Sequence, residues 1–241
     1  MIQILEMSKK KQPAQPQLSP EKYIQTRARS LALDKCYING DWKESGMASI
    51  LVTRKHVTGN HTVGVYLVDL FCLGLKDSYY FFNIDDDRLE EIIGNHFTDE
   101  IDYNTVHNII YGGIEYSGEI GFKPAKEWSV TEFILEPDDD NIPLVDIEFG
   151  KNGRPYFLFY ESDETYKTYD IINILEKNVG AGNYEAVRMI EAEENDFDDE
   201  GDFDFDEDED FEDEDFEDVI NSGSNRDIED EYIEFEEEKD K

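Results

Sequence analysis

Residues 191–241 hold 29 acidic and 3 basic side chains. No ordinary core can form from such a run, because the charges repel one another and each is costly to bury unpaired. Its centre, DFDDEGDFDFDEDEDFEDEDFED from Asp196, is of low complexity and is expected to be disordered. Folding is thereby confined to what precedes it. Residues 1–190 carry 31 acids and 19 bases, which makes a mildly acidic body. The 241 residues together have a formal net charge of −38. That balance argues against direct binding to nucleic-acid backbones, which needs a positive surface.

The acid is not uniform. Phe197, Phe203, Phe205, Phe211 and Phe216 are spaced through it. A segment needed only for solubility has no use for them, whereas acid interleaved with aromatics suits basic, partly apolar surfaces. The contact residues of such a segment would be Phe203, Phe205, Phe211 and Phe216. The bland alternative is a drifting low-complexity tail with no fixed partner. At the other end, residues 1–19 are rich in Pro and Gln and read as a disordered lead. Its basic spot, Lys9–Lys11, reads as a solvated terminus; contact with nucleic acid or with the chain's own acid is the alternative.

Residues 20–190 read as a single domain. They contain both Trp residues and long apolar runs. Cys36 and Cys72 form no CxxC pattern, so no disulfide framework is expected and a reducing compartment is favoured. No secretory signal is visible near Met1. The longest apolar stretch, Val63–Leu75, has 13 residues and is interrupted by Asp69, short of the ~20 that span a membrane. The expectation is a soluble cytoplasmic protein without membrane contact.

Within the domain the hydrophobic period changes twice. Ser19-Pro20-Glu21 is a helix start, with Ser19 as cap and Pro20 in the first turn. Strands are expected at Ala32–Ile38, Ser49–His56, His61–Leu73 and Ser78–Ile84, joined by Gly- and Asn-containing turns. Helical periodicity follows at Asp85–Phe97, Tyr103–Ile120 and Lys126–Leu135. Gly112, Gly113 and Gly118 in the second of these either weaken it or permit close packing. Leu144–Phe149 and Arg154–Tyr160 flank Gly150-Lys151-Asn152-Gly153 and read as a hairpin. Tyr169–Val179 is an amphipathic helix, and Tyr184–Glu191 reads as a further helical segment. The class is α+β: an antiparallel β-meander covered by several helices, with a second β-hairpin, a C-terminal helix and a disordered acidic tail.

The stretch Met47–Asn83, MASILVTRKHVTGNHTVGVYLVDLFCLGLKDSYYFFN, resembles a widespread set of uncharacterised bacterial proteins. Members of that set carry a V-x-R strand, a Gly-x-Tyr-Leu-Val-Asp segment and a Cys-Leu-Gly-x-Lys-Asp turn. Val106–Trp128 and Ile142–Arg154 are similar to later parts of the same set, including a Tyr-Gly…Glu-Tyr…Gly-Phe-Lys-Pro segment. The resemblance covers about Arg27–Val179 and implies no activity, since none is established for the set. Where its members often have Lys-Pro-His, this chain has Ala125.

Four side chains are candidates for chemistry. Asp69 interrupts a buried-looking strand, and a charge there needs a partner. Lys76 and Asp77 follow Gly74 at a strand end, and Arg54 on the neighbouring strand is expected to pair with Asp69. Together they suggest a carboxylate–Lys/Arg site for acid–base or phosphoryl work, or a structural ion pair that sets register. Cys72 is a weak candidate nucleophile with His56 or His61 as base, because apolar cysteines are inert. The two His residues lack further metal ligands, and Asp85–Asp87 and Asp138–Asp140 do not fit a calcium loop. Neither a metal nor a cofactor is expected. Gly180–Asn183 reads as a helix terminator. Lys123, Lys126 and Trp128 form a basic–aromatic cluster that suits a nucleic-acid end, or a plain surface loop.

The leading expectation is a non-enzymatic interaction module whose acidic tail engages basic proteins or regulates the body. The alternative is a hydrolase or nuclease-like enzyme centred on Asp69, Lys76 and Asp77. A scaffold that the tail merely keeps soluble is a third reading.

Overall fold

The computed structural model describes residues 18–94, 96–160 and 166–189. The lead with Lys9–Lys11 and the acidic stretch with its phenylalanines lie outside the described residues.

The first helix begins where its sequence dictates. The Ser19 hydroxyl accepts the Lys22 N–H at 3.3 Å, and α1 runs Pro20–Arg27. Four long strands follow: β1 (Ala32–Ile38), β2 (Met47–Lys55), β3 (His61–Asp69) and β4 (Gly74–Ile84), with the short helix α2 (Trp42–Ser45) between the first two. They form a meander of antiparallel neighbours. A short strand that the apolar pattern does not reveal, β5 (Asp99–Ile101), pairs with β1 and completes a five-stranded sheet in the order β4-β3-β2-β1-β5. With only three residues, it has too few alternations to read as a strand.

Helices cover both faces, so the central strands are buried on each side and read as nearly continuous apolar runs. On one face Ile50, Tyr66 and Val68 pack against Ile24 of α1 and against Val106, Ile109 and Ile110 of α4 (Tyr103–Ile120). On the other, Leu51, Val63 and Val65 meet Leu89 of α3 (Asp86–Ile93) and Phe97. The aspartates before these helices act as caps: Asp85 accepts from the Arg88 N–H and Asp102 from the Thr105 N–H, both at 3.0 Å. The segment expected as a third helix is shorter, α5 at Trp128–Thr131 followed by a 3₁₀ turn to Ile134.

Helix α4 lies unusually close to the sheet. A Cβ at Gly113 would stand 2.8 Å from a Val68 methyl. One at Gly112 would stand 2.7 Å from the Phe149 ring. The glycine pair thus serves close packing against both the sheet and Phe149. Gly74, at φ +64, opens β4 directly against this helix, where any Cβ would collide with the Gly113 carbonyl and the Ser117 hydroxyl.

The second sheet differs from the expected hairpin. Its turn is present: Asn152 and Gly153 have φ of 54° and 72°, and Lys151 bridges Arg154. The strands do not extend from it. Residues 144–149 cross α4 instead, with Phe149 stacked on Tyr116 at 5.7 Å between centroids. Strand β6 (Tyr156–Tyr160) pairs in parallel with β7 (Glu185–Met189). Within Tyr184–Glu191, expected as a helical segment, residues 185–189 form the strand β7 instead. Helix α6 (Tyr166–Asn178) supplies the crossover that a parallel pair requires. Gly180 and Gly182, at φ +92 and +82, bring the chain back, and the Glu185 N–H donates to the Pro155 carbonyl at 2.9 Å.

Substituting Gly74→Ala is expected to lower stability by about 2–4 kcal/mol, since it combines a positive φ with a backbone collision. Gly118→Ala, in the same helix with open space around it, is expected to raise stability by up to about 1 kcal/mol. Equilibrium urea denaturation of the pair checks both signs.

Candidate functional site

Strand β3 ends at Asp69, and its carboxylate turns the chain. Asp69 Oδ1 accepts the N–H of Phe71 at 2.9 Å and of Cys72 at 3.1 Å. The backbone of this turn is held from three sides. Leu70 donates to the Gly46 carbonyl at 2.8 Å, and Gly150 donates to the Leu70 carbonyl at 2.9 Å. The Tyr156 N–H reaches the Phe71 carbonyl at 3.0 Å. The side chain is only 8 % exposed.

Lys76 and Asp77 lie close by in β4, both exposed. The register passes from Leu67 opposite Asp77 to Val68 opposite Leu75, so Lys76 is the extra residue of a bulge. Asp77 Oδ1 accepts the Ser78 N–H at 2.8 Å. Ala125 donates its N–H to the Leu75 carbonyl at 3.0 Å, which sets that position beside the bulge.

Arg54 does not join them. It stands opposite Thr62, whereas Asp69 stands opposite Met47 at the other end of the same ladder. Its guanidinium is 1 % exposed and holds together the segments around the sheet's far end. It donates to the carbonyls of Leu31 at 2.9 Å and of Ile134, and pairs with Glu136 at 2.7 Å. The expected Arg54–Asp69 pair is therefore replaced by Arg54–Glu136. The antiparallel register, which sequence inspection does not reveal, carries the two residues apart.

The thiols are inert in their settings. Burial pushes the Cys36 thiol up to about 12 and that of Cys72 higher still, with Asp69 adding to the second. His56 and His61 lie at the hairpin end of β3, away from Cys72 at its other end, so no Cys–His pair forms. His61 Nε2 lies 2.8 Å from Asp86 Oδ1, and His56 Nε2 lies 2.8 Å from the Thr62 hydroxyl. Among the described residues no group of three His, Cys, Asp or Glu side chains is placed to hold a metal ion.

Trp128 is half-buried against the core, edge-on to Tyr66 at 6.4 Å and to Tyr111 at 5.3 Å between centroids. Lys123 and Lys126 are exposed beside it. The ring is engaged in packing and does not stand out as a free stacking platform.

One opening is not announced by the sequence. A cleft of about 570 Å³ lies between α2, the Leu70–Phe71 turn and residues 145–152. Trp42, Leu70, Phe71 and Ile147 supply apolar wall; Glu44, Asp146 and Glu148 supply acid. Its two lysines lie on ring faces: Lys43 is 5.0 Å from the Trp42 centroid, and Lys151 is 4.4 Å from that of Tyr156. Four stretches distant in sequence line this cleft: α2, the Leu70–Phe71 turn, Thr105 at the start of α4, and residues 145–152. The signals available beforehand were its parts, the Asn-Gly turn and the turn after Asp69.

Among the described residues no helix is long and apolar enough to cross a membrane. No protein-family model matches the chain, and neither a curated protein nor a solved structure matches it.

Asp69 offers a test of role through pH. Burial raises its carboxyl above the ordinary 3.8, opposed by the Phe71 and Cys72 N–H groups and by the Lys76 charge. A carboxyl that holds its proton more tightly when folded adds stability at acid pH. That increment is lost as pH rises from 3.8 through the folded-state value. Asp69→Asn keeps an oxygen for both N–H groups without the charge. Relative to the native chain it is expected to gain stability as pH rises above 3.8 and to gain none below. Asp69→Ala loses the acceptor and is expected to cost about 1–3 kcal/mol. Denaturation curves between about pH 3 and pH 7 separate the two.

Proposed function

We propose that this chain is a non-enzymatic interaction module whose acidic C-terminal stretch engages basic partner proteins. The observation that carries the reading is the composition of residues 191–241, 29 acids against 3 bases with phenylalanines at intervals. Such a stretch attracts basic surfaces over long range and associates fast, in a manner that salt weakens. The phenylalanines add contact area that salt does not screen.

The way the body uses its reactive groups supports this reading over an enzymatic one. Asp69 Oδ1 is occupied by two backbone N–H groups. Arg54 is buried among carbonyls and Glu136. Both thiols are held protonated by burial. The hydrolase alternative rests on the raised Asp69 carboxyl beside Lys76, and there Lys76 and Asp77 are exposed on a strand edge, outside the cleft lining.

The test uses the full chain and a full-length variant in which the acids of residues 196–218 are replaced by Asn and Gln. Affinity capture from host lysate is expected to retain basic proteins on the native chain at about 50 mM salt and to release them by about 500 mM, where screening is nearly complete. The neutralised variant is expected to retain none of them. Replacing Phe203, Phe205, Phe211 and Phe216 by Ala is expected to weaken retention while leaving its salt dependence in place. Equal retention by the neutralised variant refutes the proposal.

A further inference from the structure

Residues 144–149, LVDIEF, are strand sequence without a sheet. Their burial alternates with the period of a strand: Val145, Ile147 and Phe149 are half-buried, Asp146 and Glu148 exposed. They belong to no ladder. The segment is nevertheless held at both ends. Asn108 of α4 accepts the Val145 N–H at 3.2 Å and donates to the Pro143 carbonyl at 3.0 Å. At the far end the Gly150 N–H donates to the Leu70 carbonyl. Between these clamps, among the described residues, no backbone hydrogen bond joins residues 146–149 to another segment. A segment anchored at both ends, with a strand's alternation and with amides and carbonyls unspent, is a template for an added strand. One side of it is a wall of the cleft of about 570 Å³.

We propose that residues 145–149 receive an extended basic peptide of a partner protein, which adds as a β-strand along this edge and seats in the cleft beside it. Charge selects the occupant: the cleft carries three acids against two lysines, and the lysines lie over the Trp42 and Tyr156 rings. Asp146 and Glu148 point outward from alternate positions, and Glu44 stands across the cleft. A paired strand places its own alternate side chains opposite the two acids and the intervening one on the side of Ile147, towards the apolar wall. The matching pattern is basic–apolar–basic. A second copy of the chain fits poorly, since antiparallel self-pairing about Ile147 sets Asp146 against Glu148 twice, and like charges directly opposed are destabilising. Nucleic acid has the wrong sign. The inference shares with the proposed function the basic character of the partner, but it uses the body and not the acidic stretch.

The test therefore uses the full-length variant with neutralised acids at 196–218, so that failure of the tail reading leaves it intact. The probe is a synthetic heptapeptide of alternating Lys and Val, beside two analogues: one N-methylated at alternate backbone nitrogens, made in both registers, and one with Glu in place of Lys. Binding of the parent peptide is expected to slow hydrogen exchange at alternate amides of residues 146–149, those on the paired edge. N-methylation in the pairing register is expected to weaken binding about tenfold, as is the double substitution Asp146→Lys with Glu148→Lys, and the Glu analogue is expected not to bind. Both substituted residues are exposed, and urea denaturation confirms that the double variant remains folded. Protection confined to other amides, equal binding of both N-methylated peptides, or unchanged binding by the double variant overturns the proposal. Self-association of the unliganded chain that the double substitution abolishes overturns the choice of occupant and assigns the edge to a second copy.

Discussion

The close approach of α4 to the sheet is the contact on which the rest of the body depends. Gly113 brings the helix backbone down onto Val68, and Gly74 lets the β3–β4 turn pass beneath it. One residue back, Gly112 makes room for Phe149. A methyl at any of the three positions meets an occupied space. One helix therefore packs against both the five-stranded sheet and residues 144–149 and locates them. This explains why glycines, which weaken helices by roughly 1 kcal/mol each when exposed, stand in the middle of an 18-residue one.

The polar groups follow the same frame. Asp69 closes the turn that Gly74 opens, and the backbone of Leu70 and Phe71 then receives Gly150 and Tyr156. At the far end of the ladder, Arg54 does for the segments around Ile134 and Leu31 what Asp69 does for the turn. In both cases a buried charge is spent on backbone groups that have no partner in a regular element. Such use accounts for a charged residue in an apolar strand without invoking catalysis.

Much of the fold was legible because local rules and tertiary packing agree over these stretches. Ser19 caps α1, Asp102 caps α4, and the apolar runs of β2 and β3 match central strands buried on both faces. The readings diverge where local pattern and tertiary partner conflict. LVDIEF is strand sequence, but α4 and the turn at Leu70 claim it before β6 can. Residues 185–189 look helical in isolation and become a strand because β6 offers an edge at the right distance after α6. Asp99–Ile101 pairs with β1 without any periodicity of its own. The cleft was not legible at all, since Trp42, Phe71 and Ile147 come from unrelated stretches of chain.

The amino-acid sequence by itself determined the boundary between body and acidic stretch, the α+β class, the helix caps and the position of the Asn-Gly turn. Each of these follows from charge, period or the conformational preference of one or two residues, and needs no knowledge of neighbours in space. Only the tertiary structure decided that Arg54 pairs with Glu136 and not Asp69, that the second sheet is parallel, and that residues 144–149 lie along a cleft with their backbone unspent. These are matters of register and crossover. A shift of one residue in pairing, or one helix interposed, changes them while leaving every local signal as it was.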